Sequence, residues 1–590
     1  MRRLASLLGL AAVLSLVLAT AAHAQGTLLF PGVTYSDTVQ FTPHGPVVVH
    51  VVNGPRPVGL YRLTPVLSNG TVLGKETVTS MERDLSSQAT TVGVNGDFFA
   101  LANGRPSGIF MHDGVLVSPP NPGRSSVGIG LDGSLDIRRV QFIGTWSGLA
   151  QRRALTDLNQ APGANGVSLF TADWGAATPA IAGGSAAVVL SPFPPAAPSA
   201  DLSAPVVSVV RNGPVAIAPG SAVLVARGSA ATTLQVEAPL GTTVTVRLEL
   251  DPDWSTLSDA IGGGPVIVQN GKPVYAANEA FTTSQIAPRD PRTAVGQRAD
   301  GSILLVTTDG RQPGYSVGMT TFELAQTLAR LGAVQAMALD SGGSTTMAFD
   351  GTLLNRPSDG RERPIADALL LLYTGVYAPP PSLAVVSPNG DGVDDRETLG
   401  FEVVRPSTVT VTLTAPNRTT ASRQTASYQP GTYAVPFPPP PPPLPPSGQP
   451  PPGGSGTPAD GRWTLAVNAT DDQGLVSSAT RSFTVNATLG FLRVPRTLLL
   501  PPRGRKLAIS WTQTRPAVVR VGLETPDGVP LRTISVGRLG PGPQTVTWNG
   551  RQRNGKLAFG GRYQVAVSAT NELGTVELDA PLVVRRITGS

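Results

Sequence analysis

The sequence predicts an α+β unit with a mixed β-sheet, followed by two all-β sandwiches. Three observations predict it. Glycine (66) and proline (57) are abundant and charged residues are few (14%), a composition of loop-rich β structure, while 41% hydrophobic content suffices for packed cores. Residues 302–340 read as strand, helix, strand. Two C-terminal segments repeat each other: Gly461-Arg-Trp-Thr-Leu-Ala-Val matches Gly561-Arg-Tyr-Gln-Val-Ala-Val, and each runs on into a polar turn, as a sandwich strand does.

In chain order, residues 1–24 read as a secretory signal peptide. Arg2 and Arg3 precede an apolar run over 4–19, and Ala22-His-Ala24 is a small-residue cleavage site. A secreted product, extracellular or in the cell envelope, is expected, with no transmembrane segment after cleavage. The chain has no cysteine, which excludes disulfides, thiol catalysis and thiolate metal sites. Its net charge of +6 is small for 590 residues and its basic residues are dispersed, which argues against nucleic-acid binding.

Residues 25–376 form the first unit. Strands are predicted at 47–52, 90–94 and 302–308, the last ending in the turn Asp309-Gly310. Thr320-Thr-Phe-Glu323 is a capping box. Phe322, Leu324, Ala325, Leu328 and Leu331 then form a helical apolar stripe, and Gly332 stops the helix. The following strand carries Asp340. A crossover through this helix puts Asp309 and Asp340 at the ends of strands that can be neighbours, at one sheet edge, where ligands commonly bind. Residues 176–250 suggest short strands and loops without chemistry. Composition changes beyond Ala378-Pro-Pro-Pro. Residues 382–488, with a proline-rich insertion at 436–452, and residues 491–590 are each the size of a β-sandwich.

The chemistry concentrates in few motifs. An apolar run from Ala336 to Leu339 delivers Asp340 to the turn Gly342-Gly343, followed by Ser344, Thr345 and Thr346. Glycines let backbone N–H groups approach a ligand, and hydroxyls hold sugar or phosphate oxygens. The competing reading is an aspartate capping a glycine turn. Asn95-Gly-Asp97 ends another strand, either as a site or as a turn closed by its own side chains. Arg292 and Arg356 are candidates to grip a phosphate through a planar fork, against a reading as solvated charges. His44, His50 and His112 stand neither at metal-ligand spacing nor beside a nucleophile motif, which argues against a Ser–His hydrolase or a zinc site. Asn389, Asp391, Asp394 and Asp395 cluster around glycines. A structural calcium ion and a bare turn stand as alternatives there, since an EF-hand's final glutamate is missing.

Together these segments resemble the phosphodiester glycosidase family. The matching pieces, in the family's order, are Gly93-Val-Asn-Gly-Asp-Phe-Phe99, Pro106-Ser-Gly108, Gly262-Gly-Gly-Pro265, Arg292-Thr-Ala-Val-Gly296, Thr308-Asp-Gly-Arg311, the helix at 319–332, Leu339-Asp-Ser-Gly-Gly-Ser344 and Asn355-Arg-Pro357. One position departs: Ser341 stands where the family usually has glycine, and a need for positive φ there would alter the loop. The resemblance implies hydrolysis of a sugar-1-phosphodiester at the glycosidic C–O bond, releasing free sugar and a phosphomonoester. Its oxocarbenium-like transition state is commonly handled by two carboxylates, for which Asp97 and Asp340 are the candidates. Arg292 and Arg356 would neutralise the phosphate. Asn95, Asp309, Gly342, Gly343, Ser344, Thr345 and Asn355 would orient the substrate. No cofactor is expected beyond the structural calcium. The C-terminal modules resemble the immunoglobulin-like modules of the flagellar hook-capping protein, with cell-wall or polysaccharide contact and a plain spacer role standing as alternatives. Two other classes stay open. One is a non-catalytic exopolysaccharide- or cell-wall-binding protein on the same scaffold, which Ser341 favours. The other is metal-assisted hydrolysis at phosphorus.

Overall fold

The computed structural model describes residues 26–181, 184–275, 278–440, 457–500, 506–552 and 554–586. The expected signal segment and positions 441–452 of the proline-rich insertion lie outside them. The described chain is mostly strand.

One eight-stranded sheet organises the first unit. Its order is Thr27–Phe30, Val33–Thr42, Gly45–Gly54, Ile303–Thr308, Arg292–Arg298, Ala333–Ala338, Val266–Gln269 and Lys272–Pro273. Every adjacent pair is antiparallel, so this sheet is not the mixed one expected for the unit. The strands on either side of the crossover helix run the same way, but Arg292–Arg298 inserts between them and pairs with both. Asp309 and Asp340 still leave one edge, separated by the strand that begins at Arg292. Among the described residues of this unit, parallel pairing occurs between Asp157–Leu158 and Val167–Phe170, in another sheet.

The period-2 alternation of these strands feeds two cores. Val47, Val49, Leu304 and Val306 face the helix Thr321–Arg330, meeting Leu324, Ala325 and Leu328. Val52, Leu305, Val295 and Met337 face a second sheet, where they meet Val92, Val94, Leu369 and Leu371. That second sheet runs Thr352–Leu353, Met347–Phe349, Thr90–Asn95, Asp367–Tyr373, Tyr61–Leu67. Its outer face is covered by the helix Val78–Leu85 through Val78 and Met81. The strand Thr90–Asn95 is buried along its whole length, which explains its run of apolar and small residues.

The crossover helix forms for the reasons legible in sequence. The Thr320 hydroxyl accepts from the Glu323 N–H at 3.2 Å, and the Thr320 N–H donates to the Glu323 carboxylate at 2.9 Å. Gly332 ends the helix at φ +89°. Phe322 departs from the expected stripe. It faces outward, edge-on to Tyr275 at 6.0 Å.

Residues 141–251 contribute a further eight-stranded sheet with its own core around Trp146, Leu224 and Val246. Its longest strand, Asp201–Arg211, spans 11 residues. Two sandwiches follow. The repeated segments form corresponding central strands, Gly461–Asp471 and Gly561–Asn571. In each sandwich a short entering strand pairs parallel with the last strand. The first sandwich docks on the preceding unit: the Val376 N–H donates to the Ser477 hydroxyl at 3.0 Å, and Arg481 Nε to the Ala378 carbonyl at 2.5 Å. Among the described residues, no helix is long and apolar enough to cross a membrane.

Candidate active site

Three carboxyl groups meet where the second sheet abuts the first. Thr90–Asn95 pairs with Asp367–Tyr373, Asn95 opposite Ala368. The Gly96 N–H donates to the Asp367 carbonyl at 2.9 Å, and the Asp97 N–H to Asp367 Oδ1 at 2.7 Å. From the other sheet, the Asp340 N–H donates to the Gly96 carbonyl at 3.0 Å. Asp97 and Asp340 thus leave adjoining strand ends, as the sequence motifs imply, with Asp367 beneath them.

Their surroundings differ. Asp97 and Asp367 are buried, while Asp340 keeps part of its surface open. Burial pushes Asp97 up to about 7. The Arg124 charge and the Phe98 and Gly108 N–H groups oppose that rise, and the Asp340 charge adds to it. Burial likewise raises Asp340 to about 6, against the Ser344 hydroxyl, the Ser341 N–H, Arg363 and Arg124. Asp367 is raised well above its ordinary value, by burial and then by the Asp97 charge.

Asp97 Oδ2 has no hydrogen-bond partner. Two glycines lie against it: a Cβ on Gly262 would stand 2.4 Å from Oδ2, and one on Gly108 2.9 Å. A side chain at either position would displace the acid, so the glycines of the 106–108 and 262–265 motifs shape the space around this oxygen.

The cation nearest in effect is one the sequence reading missed. Arg124 lies 4.7 Å from the Phe98 ring centre and 5.2 Å from that of Phe281, and its Nη1 is buried without a hydrogen-bond partner. Its charge acts on both Asp97 and Asp340. The available signal was the Asn121-Pro-Gly-Arg124 turn preceding a strand. Asp367 was missed because it opens an apolar strand with no turn residue to mark it.

The Gly342–Ser344 turn packs between two further arginines. A Cβ on Gly342 would meet Arg311 Nη2 at 2.9 Å, and one on Gly343 would meet Arg363 Nη2 at 1.9 Å. Arg363 also reaches the Ser344 hydroxyl at 3.4 Å and pairs with Asp359 at 2.7 Å. The residue with positive φ is Gly342, at +69°, while Ser341 is extended at φ −132°, ψ −176°. The departure from the family's glycine therefore falls at a position any residue can occupy, and Ser341 no longer favours a non-catalytic scaffold.

Several sequence candidates turn out to be engaged in the framework. Asn95 accepts from the Thr293 hydroxyl (2.7 Å) and the Thr346 N–H (3.1 Å) and donates to the Asp340 carbonyl (2.8 Å), so it fastens Asp340 rather than facing a ligand. Arg292 is buried and donates to the carbonyls of Gln285 (2.9 Å), Pro288 (2.7 Å) and Met319 (3.1 Å), which corrects its reading as a phosphate grip. Asp309 is likewise corrected. It accepts from His50 (3.0 Å), Tyr315 (3.0 Å), Asn355 (3.0 Å) and the Arg356 N–H (3.1 Å). Asn355 is spent on Asp309, the Met347 N–H (2.8 Å) and the Thr345 carbonyl (3.3 Å). Thr345 Oγ1 is buried without a partner. Arg356 remains exposed, stacked 4.9 Å over the Tyr315 ring.

Elsewhere, His112 is hydrogen-bonded: Nδ1 lies 2.9 Å from Asp259 and 3.0 Å from Thr64. With Asp113 it offers three atoms that could surround a cation, but Arg62 already bonds both carboxylates. In the 389–395 loop, Asp395 accepts from the Gly390 and Gly392 N–H groups, both at 2.7 Å, and Asp391 from Val393 (2.9 Å) and Phe491 (2.8 Å). Asn389 donates to the Leu489 carbonyl at 2.9 Å, and Asp394 sits at φ +50°. These side chains close the turn and join it to the second sandwich.

The phosphodiester glycosidase family model matches residues 198–372, and the FlgD Ig-like domain model matches residues 503–572. Asp340 and Asp367 lie inside the first match; Asp97 and Arg124 precede it. An SPbeta prophage-derived uncharacterized protein YomE of Bacillus subtilis (strain 168) is 36% identical over 107 residues, 18% of this chain and 16% of that protein. The N-acetylglucosamine-1-phosphodiester alpha-N-acetylglucosaminidase of Mus musculus is 40% identical over 68 residues, 12% of this chain and 13% of the enzyme. The chain thus spans under a fifth of the length of either relative. Among solved structures, a hypothetical protein from Synechocystis aligns at 22% identity with a TM-score of 0.49, covering 58% of this chain and 62% of that one. The zebrafish N-acetylglucosamine-1-phosphodiester alpha-N-acetylglucosaminidase catalytic domain aligns at 16% identity with a TM-score of 0.31, covering 59% and 84%.

Proposed function

We propose that the protein is an exported hydrolase that cleaves a sugar-1-phosphodiester at the glycosidic C–O bond, on cell-envelope or extracellular glycoconjugates. The observation carrying this reading is the convergence of Asp97 and Asp340 from adjoining strand ends beside Arg124. The match to the phosphodiester glycosidase model supports the same class.

Asp340, the more open carboxylate, takes the role of base or nucleophile at the anomeric carbon. As base it accepts a proton from water while the water oxygen bonds to that carbon, and the C–O electron pair leaves on the phosphate. Asp97, raised to about 7 by burial above the buried Asp367, supplies the second carboxyl, as acid or as electrostatic partner of the oxocarbenium charge. The phosphomonoester is already a good leaving group. Its charge is met by Arg124, with Arg311 and Arg363 flanking the glycine turn. Asn95 and Asp309 act as positioning residues.

Hydrolysis of a panel of sugar-1-phosphate diesters in oxygen-18 water tests the reading. Label in the released sugar supports it. Label in the phosphate transfers the chemistry to phosphorus, and no turnover across the panel removes the hydrolase assignment.

A further inference from the structure

A cleft of about 700 Å³ lies on the second sandwich, away from the acid cluster. Phe559, Arg532, Arg562, Gln552, Asn554 and Tyr563 are among its lining residues. We propose that it binds an anionic polysaccharide, seating a sugar ring on Phe559 and the sugar's acidic group on Arg532 and Arg562.

The aromatic platform is built in advance. Phe559 is 66% exposed and lines the cleft. Behind it stands Arg586, its Cζ 5.5 Å from the ring centre, held by the carbonyls of Ala558 (3.1 Å) and Leu557 (2.9 Å). The Tyr563 hydroxyl donates to the Phe559 carbonyl at 2.9 Å and fixes the same turn. A platform already ordered loses little freedom on binding. The apolar face of a pyranose ring matches an exposed aromatic face, and the amides of Gln552 and Asn554 offer donors and acceptors for hydroxyls.

Charge decides the class of glycan. Among the described residues, two arginines and no carboxylate line the cleft. Arg532 Nη1 is buried without a hydrogen-bond partner, and Arg562 is exposed. Two guanidinium groups lining one cleft with no carboxylate among them favour an anionic oxygen over a neutral hydroxyl. Carboxylate and phosphate suit them equally, so both sources belong in the test. The site does not depend on hydrolysis by the first unit.

The test is calorimetric titration of the full chain with polygalacturonate, poly(glycerol phosphate) and neutral dextran. Phe559→Ala and Arg562→Gln change exposed side chains; Arg532→Gln is checked for folding by circular dichroism. Binding to at least one acidic polymer is expected, weakened roughly tenfold by each substitution and further by salt. The preferred polymer identifies the acidic group. Turnover of small sugar-1-phosphodiesters stays unchanged in Phe559→Ala, which separates this site from the catalytic reading. No binding to either acidic polymer, equal affinity for dextran, or binding indifferent to Phe559→Ala and Arg562→Gln overturns the proposal.

Discussion

Replacing Asp97 by asparagine should stabilise the first unit while removing its activity, by an amount that depends on pH. Asp97 is buried, and its pKa rises from 3.8 to about 7 in the fold. Between those values the unfolded chain has lost the proton and the native state still holds it. The native state binds more protons, so stability falls as pH rises, by about 1.4 kcal/mol per unit. Over roughly three units the loss is on the order of 4 kcal/mol, complete above the folded pKa. Asparagine is nearly isosteric, its side-chain oxygen can keep the Phe98 N–H bond made by Asp97 Oδ1 at 2.7 Å, and it has no charge to desolvate. The variant should therefore match the parent near pH 4 and exceed it progressively to pH 7, then hold a constant margin. Hydrogen exchange of peptides spanning residues 90–99, followed against urea at several pH values, reads this unit without interference from the two sandwiches. A difference flat from pH 4 to pH 9 would refute the account, because Asp97 would then ionise in the fold as it does in solution.

The acid cluster predicts a bell-shaped rate profile. Asp340 gains activity as it ionises through about 6, and Asp97, if its proton is used, loses it through about 7. The measured limbs belong to the coupled group rather than to either residue. Asp340→Asn should lower turnover by roughly 10²–10⁴-fold with folding intact by circular dichroism. Arg124→Met should raise the apparent pKa of the basic limb, because the Arg124 charge holds both carboxyls down. Ser341→Gly should leave turnover within about threefold, whereas Gly342→Ala forces a side chain into the left-handed region at about 1–2 kcal/mol, visible as a lowered melting temperature.

Much of the site's address was legible in the sequence, though not its internal wiring. Asn-Gly-Asp97 and Asp340-Ser-Gly-Gly end apolar strands, and strand-end turns carry a strong local signal. The same local signal placed Thr320 and Gly332 at the ends of their helix. Asp309, Arg292 and Asn355 look alike as polar residues near turns, and only the packing shows that their donors and acceptors are taken up by main-chain and neighbouring groups. Asp367 and Arg124 enter through pairing across separations of 270 and 26 positions, as the Asp97-to-Asp367 hydrogen bond and the Phe98 contact record. No local pattern encodes such partners. The antiparallel order of the first sheet was not legible for a related reason. A strand–helix–strand run fixes the direction of its two strands, but the strand that slots between them comes from earlier in the chain.

The turn at 389–395 has a mechanical consequence. It belongs to the first sandwich yet holds Leu489 and Phe491 at the entrance of the second, while Arg481 and Ser477 grip the segment that enters the first. Both joints are fastened from the side, which removes much of the torsional slack that an ordinary linker provides. A load applied at the far end would be carried by these side-chain hydrogen bonds as well as by the main chain, so each joint resists twisting more than a bare tether would.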